Sequence, residues 1–294
     1  MASMTVRTVT PDDAPAVVAV TGPIDATSLA TPSSFRALLE RPPASSTERL
    51  VAEVDGELAA WCPSGMYDDG RGWFWIGVAP AHRRHGIGTA LFERLAARLA
   101  NAGARAIETQ INDEDGRRFL LDRGFERTNV ARMQSLDLLR APLPDAPLPA
   151  VPLEELDGGT LFELYASARS DVPTRTPRNV MTRPEFERDV LNDELLDPEV
   201  SGVIVENGEP VAFAFVETNR VTGRGLHTLT GVRRDARGRG LGTAVKIAVL
   251  RRAFHVGLTT MITTNDVDNA PMLAINRKLG YEPSMLVETY EREL

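Results

Sequence analysis

The hydrophobic and polar positions in the second half of the chain follow first a strand pattern and then a helix pattern. Asn207-Gly208, a dipeptide typical of two-residue hairpin turns, lies between two runs rich in β-branched and aromatic residues. Apolar residues at 244, 245, 248 and 249 recur at helical spacing. A later segment has a proline in its first turn and Gly280 at its end, which indicates a helix. The predicted strands are 202–206, 210–218, 226–232 and 258–264, and the predicted helices are 243–254 and 271–279.

The first half shows the same order of elements. Asp55-Gly56 forms a second predicted hairpin turn, between strands at 50–53 and 58–62. A strand, a helix, a strand and a helix then follow, and their predicted ranges are 72–78, 90–100, 106–111 and 116–122.

Two sequence motifs occur once in each half, in the same order. Arg-x-x-Gly-x-Gly-Thr-Ala begins at Arg83 and again at Arg237, 154 residues later. A Gly-aromatic-Glu motif follows each copy, at Gly124 and at Gly280, with an offset of 156 residues. Two ordered motifs with nearly one offset indicate an internal duplication of about one domain length.

A proline-rich connector separates the two copies. Ala141–Pro152 contains five prolines in twelve residues, which predicts a stiff, extended segment. It can hold the first strand of the second copy around Val151. We therefore predict an N-terminal domain over 1–144 and a C-terminal domain over 145–294.

Composition excludes several classes of protein. Hydrophobic residues make up 43% and charged residues 25% of the chain, an ordinary globular balance. The net charge of −8 argues against a nucleic-acid binder. A single cysteine, Cys62, and four scattered histidines indicate neither a disulfide nor a metal site. We find no signal peptide and no apolar run long enough to span a membrane, and so expect a cytoplasmic protein without membrane association.

The glycine-rich motif lies between a predicted strand and a predicted helix. Its glycines permit a tight turn and a close approach by a ligand, and the following helix N-terminus offers unpaired N–H groups to an anion. A dinucleotide-binding loop of the Rossmann type would need a third glycine, where Leu91 and Val245 stand instead. A P-loop would need Gly-Lys-Ser/Thr, which is absent. The motif therefore predicts a different pyrophosphate site or a turn without a ligand.

The strand ending in Val, the Arg-x-x-Gly-x-Gly loop, and the later Asn and Leu-Gly-Tyr together resemble the GNAT acetyltransferase family. The tandem layout is similar to mycothiol synthase and related actinobacterial acetyltransferases. The resemblance implies an α/β (α+β) fold of two GNAT-like domains, each a mixed, mostly antiparallel sheet flanked by helices. It also implies acetyl-CoA as the acyl donor.

The resemblance assigns CoA-binding roles position by position. In the second half the implied residues are Val232, Arg237, Gly238, Arg239, Gly240, Gly242, Thr243 and Asn269. In the first half they are Val78, Arg83, Arg84, Gly86, Gly88 and Thr89. The first half has no counterpart of Asn269, so we expect it to be degenerate or supporting and the second half to be catalytic.

Many family members place a tyrosine acid four residues before the final Gly of the last motif. Here that position holds Asn276 in the second half and Leu120 in the first. Asn276 can donate a hydrogen bond to a thiolate, or it can be a packing amide. Candidate general bases are Glu217, at the end of one strand, and His227, on the next. Strand alternation predicts that His227 faces away from Thr230.

Three functions remain open from the sequence. The first is acetyl transfer to a primary amine of a small polar molecule, with Arg175 or Arg178 holding a substrate carboxylate. The second is acetylation of a protein lysine or N-terminus, and the third is a non-catalytic acyl-CoA sensor or scaffold. We expect a monomer or a homodimer.

Overall fold

The computed structural model describes residues 3–43, 46–172 and 181–294. These residues form two compact units. The first holds the described residues up to Asn129 together with Val287–Leu294, and the second holds the described residues from Val130 to Leu286.

The first unit is a mixed sheet with helices against it. Its strands are β1 (Met4–Thr8), β2 (Glu48–Val54), β3 (Glu57–Met66), β4 (Gly72–Phe74), β5 (Gly77–Val78), β6 (Ala106–Ile111) and the end of β12 (Glu282–Glu293). Its helices are α1 (Ala14–Thr21), α2 (Pro32–Glu40), α3 (Ile87–Asn101) and α4 (Glu114–Leu121). The strand order is β1-β2-β3-β4-β6-β12, with β5 paired to β3. Only β4 and β6 run parallel.

The second unit repeats this arrangement. Its strands are most of β7 (Glu126–Asp137), then β8 (Gly202–Glu206), β9 (Glu209–Asn219), β10 (Arg224–Val232) and β11 (Thr260–Asp266). Its helices are α5 (Gly158–Ser170), α6 (Arg183–Phe186), α7 (Leu241–His255) and α8 (Ala270–Lys278). The strand order is β7-β11-β10-β9-β8, and only β10 and β11 are parallel.

The compact units do not follow the predicted boundary between residues 144 and 145. Strand β7 follows the first copy in sequence, yet it pairs with β11 of the second unit. Strand β12 ends the second copy, yet its residues from Glu288 pair with β6 of the first unit. The exchange of these two strands places the division at Asn129 and Val130.

The hairpin turns are where the sequence predicts them. Asp55 and Gly56 have φ values of 50° and 86°, and Asn207 and Gly208 have 52° and 81°. Positive φ at both central residues is the geometry of a type I′ turn, which matches the twist of antiparallel strands. The strands and helices predicted around these turns are confirmed, with ends shifted by a few residues.

The strand predicted over 72–78 is wrong in its middle, because it is interrupted after Phe74. The register of β3 with β4 and β5 would place residue 75 opposite Pro63. Proline has no N–H to donate, so the ladder is broken there. The connector was predicted to hold a strand around Val151, and this residue makes an isolated bridge to Val203.

Each face of the second sheet has its own core. Helix α7 covers one face with buried residues on all its sides, including Val245 and Val249. Helices α5 and α6 cover the other face, where Tyr165, Phe186 and Phe213 pack together. No helix within the described ranges has both the length and the apolar composition needed to cross a membrane.

Candidate functional site

The loop between β10 and α7 has the backbone geometry that the glycine-rich motif predicts. The Nε of Arg237 donates to the carbonyl oxygen of Val232 at 3.1 Å and so fixes the loop to the strand. Gly238 and Gly240 have φ values of 76° and 79°. Gly240 precedes the helix, and no side chain caps its first turn. The N–H groups of that turn are therefore available, and the helix dipole favours negative charge there.

The first unit folds the same loop in the same way. The Nε of Arg83 donates to the carbonyl oxygen of Val78 at 3.2 Å. Arg84 has a φ of 66° at the position that Gly238 occupies in the other copy, and Gly86 has a φ of 83°. A Cβ added at Gly86 or Gly240 would meet no atom within 4 Å. Both loops thus leave open space over the helix start.

The arginines of the loops are already paired with carboxylates. Asp171, just after α5, accepts from Arg234 at 2.5 and 2.7 Å and from Arg237 at 2.5 Å. These two arginines hold the pKa of the Asp171 carboxyl well below its usual value. Arg239 forms two bonds of 2.8 Å with Glu206. An incoming pyrophosphate must compete with Asp171 for Arg237.

Carboxylates also lie beside the first loop. Arg83 lies 3.8 Å from Asp113 and 4.0 Å from Asp115, at the start of α4. The hydroxyl of Thr89 accepts from Arg123 at 2.9 Å. The equivalent helix of the second unit starts instead at the neutral Asn269, whose Oδ1 accepts from the N–H of Met272 at 3.3 Å. Carboxylates therefore lie near both loops, and the two units differ at the start of the helix, which is Asp113 in the first unit and Asn269 in the second.

The remaining loop residues that we predicted from the sequence pack beneath the open space. A Cβ at Gly242 would lie 3.4 Å from Val232, and one at Gly88 would lie 3.7 Å from Phe119. Thr243 lies in the first turn of α7.

The two parallel strands separate next to this loop. In the second unit the pairing of β10 with β11 ends at His227 and Thr263, although β10 continues to Val232 and β11 to Asp266. We call the space between residues 228–232 and 264–266 the strand gap. In the first unit the corresponding pairing ends at Trp73 and Glu108. Backbone groups along such a gap can hydrogen-bond an extended amide-containing ligand.

A bulge in β10 changes the direction of His227. The register with β9 shifts between His227 and Leu229, so His227 lies opposite Val216 and Thr230 lies opposite Ala214. Val216 and Ala214 both belong to the core under α7. His227 and Thr230 therefore share one face, and the prediction from simple alternation is wrong because it assumed an unbroken strand.

Asn276 lies on the same face, in a buried network of amides. Its Nδ2 donates to Oε1 of Gln134 at 3.0 Å and to Oδ1 of Asn265 at 2.7 Å. Its Oδ1 is buried and has no hydrogen-bond partner in the described part of the chain. Both N–H groups of Asn276 are thus engaged with protein oxygens, and the side chain presents an acceptor to any ligand.

His227 is joined to two residues that the sequence analysis missed. Its Nδ1 is 3.0 Å from the hydroxyl of Tyr281, and its Nε2 is buried without a partner among the described residues. The Nζ of Lys246 lies 5.1 Å from the centre of the Tyr281 ring. Burial lowers the pKa of Lys246 to about 7. Burial and the charge of Lys246 lower the pKa of His227 well below 6.5, so the imidazole is neutral.

A signal for Lys246 was present in the sequence. It interrupts the run Ala-Val-Lys-Ile-Ala-Val-Leu, in which every face of the helix is apolar. A lysine in a helix without a polar face must be buried, and buried lysines without an ion pair are rare.

Glu217 lies on the opposite face of the sheet. It follows Phe213 and Phe215 on the side covered by α5 and α6, and pairs with Leu226 next to the strand gap. Burial, with a smaller effect of Asp193, raises the pKa of the Glu217 carboxyl to about 7. The structure therefore brings His227 and Asn276 to one face and Glu217 to the other.

Two sequence candidates cannot be located. Arg175 and Arg178 lie outside the described residues. Within those residues no three His, Cys, Asp or Glu side chains are grouped so that they could hold a metal ion.

Comparison with known proteins matches both halves to one family. The model of the acetyltransferase (GNAT) family matches residues 24–125 and again residues 161–281. A mycothiol acetyltransferase of Saccharomonospora viridis is 30% identical over 215 residues, which are 70% of this chain and 69% of the relative. A mycothiol acetyltransferase of Amycolatopsis mediterranei is 29% identical over 251 residues, 80% of each chain.

Solved structures share the tandem arrangement. A tandem GNAT protein from the clavulanic acid biosynthesis pathway aligns with a TM-score of 0.76 at 20% identity, over 99% of this chain and 98% of its own. A GCN5-related N-acetyltransferase from Sphaerobacter thermophilus aligns with a TM-score of 0.73 at 18% identity, over 99% and 95%. At these identities the structures establish a common fold.

Proposed function

The chain belongs to the GNAT acetyltransferase family, and from that premise we propose that its second unit moves an acetyl group from acetyl-CoA to a primary amine of a small polar molecule. The observation that carries the proposal is the difference between the two strand gaps. Only the second has a neutral helix start at its loop together with polar side chains at the end of the gap. The first has Leu120 where the second has Asn276, and carboxylates beside Arg83.

Glu217 is the general base in this proposal. Its carboxyl is mostly buried, and Glu217 pairs with Leu226, two residues before the strand gap. A pKa of about 7 suits a group that must take a proton near neutral pH. Among the described residues it has neither a hydrogen bond nor an ion pair that would have to be broken first. His227 is less suited to this role, because burial and the charge of Lys246 lower its pKa well below 6.5 and make it a weak base.

The chemistry is a direct transfer. The amine nitrogen attacks the thioester carbonyl, the C–N bond forms, and Glu217 takes the ammonium proton. Backbone N–H groups along the strand gap stabilise the oxyanion. The C–S bond then breaks, the sulfur leaves with the electron pair, and Glu217 returns its proton to solvent.

The names of the two relatives support only the general class of the acceptor. Both relatives are named for mycothiol, a small molecule, and both span the two domains of this chain. We extend this to a small polar amine and assign no individual compound. The first unit then has a supporting role, because it has Leu120 at the position of Asn276 and Asp113 at the helix start where the second unit has Asn269.

A panel of amines with acetyl-CoA tests the proposal by release of free thiol. We expect turnover with a subset of small polar amines, and loss of at least about 100-fold in kcat/KM for Glu217→Gln. Glu209→Gln is the matched control, since Glu209 is exposed on the same strand. Turnover with peptides alone would favour a protein acetyltransferase, and tight acetyl-CoA binding without turnover on any amine would favour a sensor.

A further inference from the structure

The duplication provides an internal comparison for the core beneath each strand gap. Lys246 of α7 corresponds to Phe92 of α3 at the offset of 154 residues, and Tyr281 corresponds to Phe125 at the offset of 156. The third pair, His227 and Phe74, follows from the pairing of the two parallel strands in each unit. Phe74 lies two residues after the glycine that pairs with Ile107, and His227 lies two residues after the glycine that pairs with Met261.

The first unit fills this space with three aromatic rings. The ring centres of Phe74, Phe92 and Phe125 are 5.7 to 5.9 Å apart, and all three side chains are buried. The second unit has a lysine, a tyrosine and a histidine at the same places, also buried. We call Lys246, Tyr281 and His227 the buried polar assembly.

The assembly is costly for folding. In the described part of the chain, His227 Nε2 is buried without a hydrogen-bond partner, and Lys246 is a buried lysine whose pKa is lowered by burial. Burying such groups unsatisfied destabilises a protein. Because the first unit closes the same space with phenylalanines, the fold does not require the polar version, which indicates a role in function.

The position of the assembly indicates which role. His227 belongs to the last pair of β10 and β11, at the closed end of the strand gap. At about 3.3 Å per residue this end lies roughly 16 Å from Val232 and the phosphate loop. An extended donor whose pyrophosphate lies at the loop would bring its thioester toward this end.

The hydrogen-bond pattern defines the free atom of His227. Burial raises the pKa of the Tyr281 hydroxyl, so this group keeps its proton, and we assign the hydroxyl as the donor and Nδ1 as the acceptor of their 3.0 Å hydrogen bond. The neutral imidazole then carries its own hydrogen on Nε2. This N–H is a donor without an acceptor, at the end of the gap. Asn276 cannot supply such a donor, because both of its N–H groups are engaged.

We propose that the buried polar assembly stabilises the thiolate of CoA as it leaves, with the Nε2–H of His227 donating to the sulfur. This inference rests on the proposed acetyl transfer. When the C–S bond breaks, the electron pair stays on sulfur, and no proton is transferred by the assembly. Lys246 is a positioning residue, which acts through Tyr281: it packs against the Tyr281 ring, whose hydroxyl holds Nδ1 of His227.

The ionisation of bound CoA tests the proposal without an acceptor. The thiolate absorbs in the ultraviolet, so a pH titration of the protein–CoA complex reports the pKa of the bound thiol. We expect this pKa to lie below that of free CoA in the same buffer. We expect Lys246→Met and His227→Phe to raise it by about one unit or more, a tenfold change in ionisation.

Val245→Ala is the matched control, because Val245 is buried beside Lys246 on α7 and has no polar group. It should reduce stability and leave the pKa of the bound thiol unchanged. Equal pKa values in the wild type and in both assembly variants would overturn the proposal. Failure of CoA to bind at all would instead refute the proposed function, and calorimetric titration with CoA separates the two results.

Discussion

Replacing Lys246 by methionine should stabilise the protein, which is unusual for a substitution in a core. The pKa of this lysine is about 7 in the folded chain against an ordinary value of 10.5. That difference corresponds to roughly 5 kcal/mol of unfavourable free energy for the protonated form. Methionine has a similar length and fills the same space without a charge. The variant also loses the cation–π contact of the ammonium with the Tyr281 ring, which costs about 2 kcal/mol. The free energy of unfolding should therefore increase by about 3 kcal/mol.

The gain should depend on pH with a defined sign. Between pH 7 and 10.5 the unfolded lysine binds a proton that the folded one has lost, so wild-type stability rises with pH in this range. The cost of Lys246 is therefore fully present below pH 7 and shrinks to about 1.4 kcal/mol at pH 9.5. The advantage of Lys246→Met should fall from about 3 kcal/mol to about 1.4 kcal/mol, because the folded lysine is neutral at pH 9.5 and has no cation–π contact to lose.

Thermal unfolding followed by circular dichroism measures this effect. At pH 7 we expect Lys246→Met to unfold about 6–12 °C above the wild type, with a clearly smaller difference at pH 9.5. Val245→Ala should lower stability by roughly 2 kcal/mol at both pH values, since it only removes packing. A variant no more stable than the wild type at pH 7, or an advantage that does not change with pH, would refute the reasoning.

Three further predictions concern the second loop, the general base Glu217 and the core of the first unit. Asp171→Asn should tighten acetyl-CoA binding several-fold at low salt, because Arg237 is released, and calorimetry at low and high salt should show the gain disappear as charges are screened. The wild-type kcat/KM should rise with pH through about 7 as Glu217 loses its proton, and Glu217→Gln should remove this rise from the pH profile. Phe92→Lys should destabilise the first unit by more than about 3 kcal/mol in urea unfolding, because it introduces a buried charge where the neighbours are Phe74 and Phe125.

The sequence was sufficient for the features that depend on local pattern. The turns at Asp55 and Asn207, the glycine-rich loops and the duplication all follow from residue types at fixed spacings. Each has a backbone requirement that few residues meet, such as positive φ at Gly240. These features carry most of the fold and the family.

Features that depend on contacts distant in sequence could not be predicted in this way. The exchange of β7 and β12 follows from strand pairing across more than 100 residues. The bulge after His227 reverses a side chain that simple alternation placed on the other face. Both N–H groups of Asn276 are engaged by Gln134 and Asn265, and nothing at position 276 indicates these partners.

The pairing of Lys246 with Tyr281 shows an intermediate case. The lysine within an apolar helix was visible in the sequence, yet its partner and its counterpart Phe92 become informative only once both units are folded. Only the comparison of the two copies indicates that the polar residues have a role in function, because the first copy has phenylalanines at the same positions.

Calorimetric titration with acetyl-CoA of the wild type and of two glycine variants tests the central claim most directly. Gly240→Trp and Gly86→Trp introduce the same side chain at residues with φ of 79° and 83°, each with open space around the Cβ position. We predict one strong site in the wild type, loss of binding and turnover in Gly240→Trp, and retention of both in Gly86→Trp. Binding and turnover that persist in Gly240→Trp but disappear in Gly86→Trp would contradict the central claim.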